Sequence, residues 1–364
     1  MNGHPLPRRR QVGPASSSQG LRPSLLPLLL VAMLAVLAAG ALFLAGCGSE
    51  DGAEGTETTA AAESPETTMA SDTDTTAAPT DTTSAAAPES AFPVTVTDDQ
   101  GTSVTIESLP MRIVSTAPAN TETLFALGLD DRIVGVTSLD DYPPEAAEIE
   151  KVGDFQVNTE AVMALSPDLV VGYAGNEEAL APVASAGAAV LILDPTDLDE
   201  IYADIEMVGV ATGTQAKAAA LVDALRGEIE EVTAATAAAP ESPKVFYALD
   251  NTLWTAGPGS FVDELLNLVN ATNVGSMQGD GAAVQAYYQF APEQLVAADP
   301  DIILLPNTAY TSVDEFVSDA RFAGLRAVQE GRVVLIDDVI ITRPGPRIGQ
   351  GLRVLAEAVH PEAF

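Results

Sequence analysis

The sequence predicts an α/β protein of two similar lobes with parallel sheets, joined by one long helix, with a ligand cleft between the lobes. Three observations predict it. Short apolar runs alternate with helix-length segments in both halves of the chain, the pattern of a parallel sheet covered on both faces. After Thr196 the alternation stops and two helical segments follow, "LDEIYADIEMVGVATG" and "TQAKAAALVDALRGEIEEVTAATAAA". Residues also recur at a fixed offset. In "FQVNTEAVMALSPDLVVGY" and "YQFAPEQLVAADPDIILLP", Phe155 and Tyr288, Gln156 and Gln289, Glu160 and Glu293, Pro167 and Pro300, and Asp168 and Asp301 all lie 133 positions apart.

The elements follow in order. Four arginines, Arg8, Arg9, Arg10 and Arg22, precede an uncharged apolar run, so residues 1–46 read as an export leader. The run from Leu25 to Gly46 is also long enough to span a bilayer as an uncleaved anchor. "LAGC" at 44–47 places small residues before the single cysteine, Cys47. Residues 47–91, rich in Thr, Ala, Ser and acid, bury too little to offset ordering entropy and read as a disordered stalk.

"VTVTDDQGTSVTI" alternates around a glycine turn and predicts a hairpin at the start of the first lobe, residues 92–196. "RIVSTAPANTETLFALGLDDRIVGVT" reads strand, helix, strand, with Asn120 or Thr121 as helix cap and Gly128 as its end. The helical connector covers 197–240. The second lobe, 241–364, opens with "KVFYALD" at Lys244, 132 positions after "RIVSTAP" at Arg112.

Composition excludes more chemistry than it suggests. With one cysteine, and with His4 and His360 as the only histidines, a Ser-His-Asp triad, a Cys-His pair or a multi-histidine metal site is not expected. No catalytic or metal-ligating set is assigned. An enzyme using Ser115, Ser138 or Asp140 would lack a general base of the usual kind.

Ten of the 52 acids lie in 48–92 and four of the 16 bases in the first 47 residues. Residues 93–364 therefore hold 42 acids against 12 bases, which argues against nucleic acid and anionic membrane surfaces as partners.

Ligands of parallel α/β units collect where strands end and helices begin. Phe155 and Tyr288 precede equivalent helices, so a pseudo-twofold axis should set them on opposite walls of one cleft. Tyr142, Tyr173, Trp254 and Tyr287 fall at comparable strand ends and loops.

"APANTETLFALG", "VGVTSLDDYPPEA", "GDFQVNTEAVMALSPDLVV", "TAGPGSFVDELL" and "RPGPRI" together resemble the substrate-binding proteins of ABC importers for cobalamin and iron complexes, over about residues 93–364. The first two motifs resemble the cobalamin-binding branch. The resemblance implies two Rossmann-like lobes on a rigid helix. It also implies a membrane-anchored, extracytoplasmic monomer lipidated at Cys47, which delivers its ligand to an ABC permease and its ATPase subunits. The ligand implied is a metal complex that arrives already chelated, a corrinoid, so no cofactor of the protein's own is needed. A ferric siderophore or haem is the alternative, and an adhesin or sensor a further one.

Carried onto this chain, the resemblance places Pro118 and Asn120 beneath the ligand. Tyr142, Phe155 and Tyr173 stand as its aromatic contacts, and Arg343 reaches in from the second lobe. Gln156 and Gln289 would meet polar edges, with Trp254, Tyr287 and Tyr288 nearby. The resemblance also implies one docking acid per lobe for the permease. Glu160 matches the first. The second position falls on Gly259, which moves the expectation to Asp263 or Glu264.

Overall fold

The computed structural model describes residues 92–277 and 285–364, all within one compact unit. The leader, Cys47 and the stalk lie outside the described residues.

The first lobe opens with an antiparallel hairpin, β1 (Val94–Thr97) and β2 (Ser103–Ile106). Gly101 lets it turn, at a φ of 74° that only glycine adopts freely. Then follow β3 (Ile113–Ser115), α1 (Pro118–Ala126), β4 (Ile133–Gly135), α2 (Thr159–Ala164), β5 (Leu169–Tyr173), α3 (Glu177–Ser185) and β6 (Ala189–Leu193). Their sheet is parallel throughout, in the order β4-β3-β5-β6.

The connector is α4 (Leu198–Thr212) and the 23-residue α5 (Gln215–Ala237).

The second lobe runs β7 (Lys244–Tyr247), β8 (Trp254–Ala256), α6 (Phe261–Leu268), β9 (Thr272–Asn273), β10 (Tyr287–Gln289), α7 (Pro292–Ala298), β11 (Ile302–Pro306), α8 (Asp314–Val317), α9 (Arg326–Gln329), β12 (Val333–Ile336), α10 (Asp338–Thr342) and α11 (Ile348–Val359). Its parallel sheet has the order β9-β7-β11-β12, the first lobe's order strand for strand. Each lobe adds an antiparallel pair of its own, β1 with β2 in the first and β8 with β10 in the second.

The offset of 133 is therefore a repeated fold, and the repeated residues have repeated tasks. Asp168 accepts backbone hydrogens from Met111 and Arg112 at 2.9 and 3.0 Å, while Asp301 accepts from Lys244 at 2.8 Å. Each aspartate pins the start of its lobe's first strand to the strand that follows it. Ser166 and Asp299, also 133 apart, both turn left-handed, at φ 49° and 43°, to end the preceding helix. The carbonyl freed before each turn receives a cation: Arg112 Nε bonds Leu165 O at 2.9 Å, and Lys244 Nζ bonds Ala298 O at 2.5 Å.

Helix α5 holds the two lobes together. Val222, Leu225, Ile229 and Val232 form a buried stripe at alternating three- and four-residue spacing, in the same apolar core as strands of both lobes. Each such side chain contributes about 1.5–3 kcal/mol on burial. Lys217 Nζ ties the start of α5 to Leu127 O at 2.9 Å, and Asn270 Nδ2 reaches Thr236 O near its end at 3.4 Å.

The expected cap of α1 is corrected. The helix begins at Pro118, whose ring presets the first turn, so Asn120 and Thr121 lie inside it. Gly128, at φ 66°, follows its end as expected.

Candidate functional site in the cleft between the lobes

A cleft of about 810 Å³ opens at the carboxyl ends of β3 and β5, where α1 and α3 begin. The first lobe supplies most of its described wall. Thr116 to Asn120 follow β3, Tyr173 ends β5 with Ala174 to Asn176 after it, and Pro195 follows β6, joined by Ser138, Leu139, Asp141, Asp154 and Phe155 from loops. The second lobe contributes Thr342, which ends α10, and Arg343 and Pro344 after it.

Two aromatic rings are presented to the opening. Phe155 is 69% exposed, an unusual placement for a phenylalanine unless something is to cover it. Tyr173 ends β5 and is 42% exposed. Partial burial raises the Tyr173 phenol above its ordinary pKa, with Asp194 and Tyr287 adding to the effect. The phenol is thus neutral at physiological pH, and Tyr287 of the second lobe lies near it.

Asn120 is buried in the first turn of α1. Its amide donates to Gly172 O at 2.9 Å, so it holds the end of β5 while forming part of the floor. Thr116 Oγ1 donates to Asn176 Oδ1 at 2.7 Å, linking the turns after β3 and β5.

A buried ion cluster closes the lobes on one side. Glu122 of α1, with its side chain 1% exposed, accepts from Arg347 Nε and Nη2 at 2.8 and 2.5 Å and from Arg343 Nη1 at 3.2 Å. Arg343 Nη1 also donates to Asp141 Oδ1 at 2.6 Å. The Arg343 hydrogen bond is the main cause holding the Asp141 carboxyl below its ordinary pKa.

Of the expected ligand contacts, Pro118, Asn120, Phe155, Tyr173 and Arg343 line this cleft. The others are not in the described lining, although Tyr287 lies near Tyr173. Tyr142 lies 4.0 Å beneath the Arg347 guanidinium and lines a separate cavity of about 490 Å³ with Phe125, Asp130 and Leu221. Tyr288 does not oppose Phe155. Its ring packs near Phe290, and its hydroxyl donates to Gly275 O at 2.6 Å.

Strand alternation is the cause. In β10, Tyr288 turns into the lobe while its neighbours Tyr287 and Gln289 turn out. Gln289 donates to Thr252 O at 2.9 Å. Trp254 is half-buried in β8 opposite Gln289, and Gln156 is exposed in the turn after Asp154; neither lines the cleft.

Among the acids, Glu160 is exposed in the first turn of α2. Asp263 and Glu264 already serve the fold. Asp263 Oδ1 accepts from Asn273 Nδ2 and Ser276 Oγ at 2.8 and 2.5 Å, and Glu264 Oε2 accepts from Leu198 N at 3.3 Å.

Glu122 and Asp141 are the charged neighbours of Arg343 and Arg347 that motif reading passed over; Arg347 completes the cluster. All three lie inside motifs already singled out, "PANTE", "DDYPP" and "RPGPRI". Among the described residues, no group of three or more His, Cys, Asp or Glu is arranged to hold a metal ion.

Comparison with known proteins agrees with this geometry. The chain is 35% identical over 282 residues to an uncharacterized ABC transporter substrate-binding lipoprotein of Bacillus subtilis, covering 75% of this chain and 87% of the relative. It is 30% identical over 289 residues to a cobalamin-binding protein of Halobacterium salinarum, covering 74% and 75%. Its fold matches the periplasmic heme-binding protein of Roseiflexus sp. RS-1 with a TM-score of 0.63 and 27% identity, covering 70% of this chain and 99% of that one. Residues 113–340 match the model of the periplasmic binding protein family, and with a two-lobed fold and an interlobe cleft this chain belongs to that family.

Proposed function

We propose that this chain captures a corrinoid in the interlobe cleft and passes it to an ABC permease. The observation that carries the reading is the cleft itself: about 810 Å³ in volume, between two lobes on a shared core, with the Phe155 and Tyr173 rings exposed in its wall. A wide macrocycle buries its faces against such rings with little loss of side-chain freedom. Thr116, Ser138, Asn176 and Thr342 offer hydrogen bonds to its edges. The relatives named for cobalamin support the same ligand class.

Haem is the competing ligand, and a structural relative is named for it. Tyr173 in the wall, or Tyr287 near it, would have to supply a phenolate to its iron, whereas the metal of a corrinoid needs nothing from the protein.

Cys47 is the proposed point of lipid attachment, and Glu160, exposed and without a structural task, the proposed docking acid.

The test is calorimetric titration of the full-length chain in mild detergent with cyanocobalamin, haemin and a ferric siderophore. One-to-one binding of cyanocobalamin alone supports the reading. Binding of an iron complex with cyanocobalamin inert overturns the ligand and leaves solute capture in place.

A further inference from the structure

Among the described residues, the charged groups of the cleft wall are Asp141, Asp154 and Arg343. Arg343 is the cation an anionic ligand would seek, and its Nη1 is shared between two carboxylates. The two differ in kind. Glu122 is enclosed, with its side chain 1% exposed, and also grips Arg347 through two bonds, so it cannot leave. Asp141 sits on a loop with its side chain 66% exposed, and Arg343 is the largest cause of its low pKa. One partner is permanent and the other exchangeable.

Taking the cleft as the site of a large chelate, as proposed above, we propose that Asp141 selects the charge of the ligand admitted. By neutralising Arg343 it leaves the cleft open to neutral chelates and turns away anionic ones.

The electrostatics follow from proximity. Glu122, Asp141, Arg343 and Arg347 form a cluster of two charges of each sign, so its net charge is zero. Asp154 then leaves the described part of the cleft wall negative. Glu122 and Asp141 both bond Arg343 through Nη1, so a ligand carboxylate that takes Nε or Nη2 of Arg343 comes to rest within a few ångströms of Asp141, a like charge. A neutral amide in the same place meets no such repulsion. Neutralising Asp141 removes that repulsion, leaving Arg343 with Glu122 alone and able to take a carboxylate in charge-assisted hydrogen bonds. Charge complementarity of this sort sets specificity more than total affinity.

The experiment uses two pairs of probes matched in shape and differing in charge. One is haemin with its dimethyl ester, and the other cyanocobalamin with monocarboxylates made by hydrolysing one peripheral amide. Each is titrated into the full-length chain in mild detergent, unchanged and as Asp141→Asn, with Asp154→Asn as a control that alters charge away from Arg343.

In the unchanged chain the neutral member of a pair should bind about tenfold tighter than the anionic one. Asp141→Asn should raise affinity for the anionic member about tenfold and leave the neutral member unchanged, with a smaller change in Asp154→Asn. If the anionic member gains nothing, or both members gain alike, the proposal is overturned while the chelate reading stands. If no probe of either pair binds the unchanged chain, the chelate reading falls and takes the proposal with it. Should Asp141→Asn fail to fold, Asp141→Ser is read against the same outcomes.

Discussion

The carboxylate of Glu122 and the guanidinium of Arg347, 225 positions apart in the chain, meet through two bonds of 2.8 and 2.5 Å between the lobes. Glu122 is almost wholly enclosed, and the arginines it holds are largely so. Removing one member of such a group leaves the others charged and out of water.

Glu122→Ala should therefore lower stability by about 3 kcal/mol, since a stranded buried charge costs about 3–5 and the arginines keep some contact with solvent. Urea denaturation of the full-length chain measures it. Replacing Glu122 and Arg347 together by Leu and Met should recover most of the loss. A deficit equal in the single and double variants would mean the ion cluster contributes nothing specific.

Asp204 in α4 gives the fold a pH dependence. It is 5% exposed, no hydrogen-bond donor reaches either oxygen, and burial followed by the facing Asp99 raises its pKa to about 8. Asp194 and Glu200 add further negative charge nearby. In the unfolded chain the group returns to the usual carboxylate range, near 3.8.

Between those values the folded state binds the extra proton. Stability should fall as pH rises from about 4 to about 8, by up to tenfold in the unfolding equilibrium per pH unit, and level off above. Asp204→Asn, which can donate to Asp99 as the protonated acid would, should remove this slope between pH 6 and 8 and be the more stable protein at pH 8. Parallel pH profiles for the two proteins in that window would refute the assignment.

Phe155 and Tyr173 bear on binding far more than on folding, because both side chains are exposed. Each change to alanine should weaken cyanocobalamin binding roughly tenfold to a hundredfold while moving the melting temperature little. Trp254→Phe, half-buried away from the cleft wall, should leave the affinity where it was.

Glu160→Arg reverses an exposed charge that makes no side-chain hydrogen bond or ion pair among the described residues, so calorimetric affinity should be unchanged and stability should fall by no more than about 1 kcal/mol, the cost of a cation in the first turn of α2. Uptake in cells that depend on the importer should fall several-fold if this acid docks on the permease. Full uptake would remove Glu160 from the docking surface.

The parts of this protein that could be read from its sequence are those whose cause is local or repeated. Asp168 and Asp301 could be paired because each sits between a helix end and an apolar strand, and each accepts backbone hydrogens from the start of the strand beside it. The hairpin at Gly101 and the helix end at Gly128 follow from backbone conformations that few other residues allow. Phe155 and Tyr173 were legible as lining of the interlobe cleft because strand ends and the turns after them lie at one face of parallel sheets.

The assignments that changed depended on partners remote in the chain. Which of Tyr287 and Tyr288 turns outward depends on the pairing of β10 with β8, an addition present in one lobe only, and a shift of one residue exchanges them. Asp263 and Glu264 looked like free surface acids until Asn273, Ser276 and Leu198 were brought against them. Tyr142 left the expected cleft wall because Arg347 of the other lobe covers its ring.

The amino-acid order by itself determined two like lobes, the helical connector and the strand ends at which a ligand is met, because periodicity and backbone preference act over a few residues. Only the tertiary structure decided the charge of the cleft. Glu122, Asp141, Arg343 and Arg347 neutralise one another at distances of a few ångströms, and that proximity exists only once α5 has fixed the lobes around a common core.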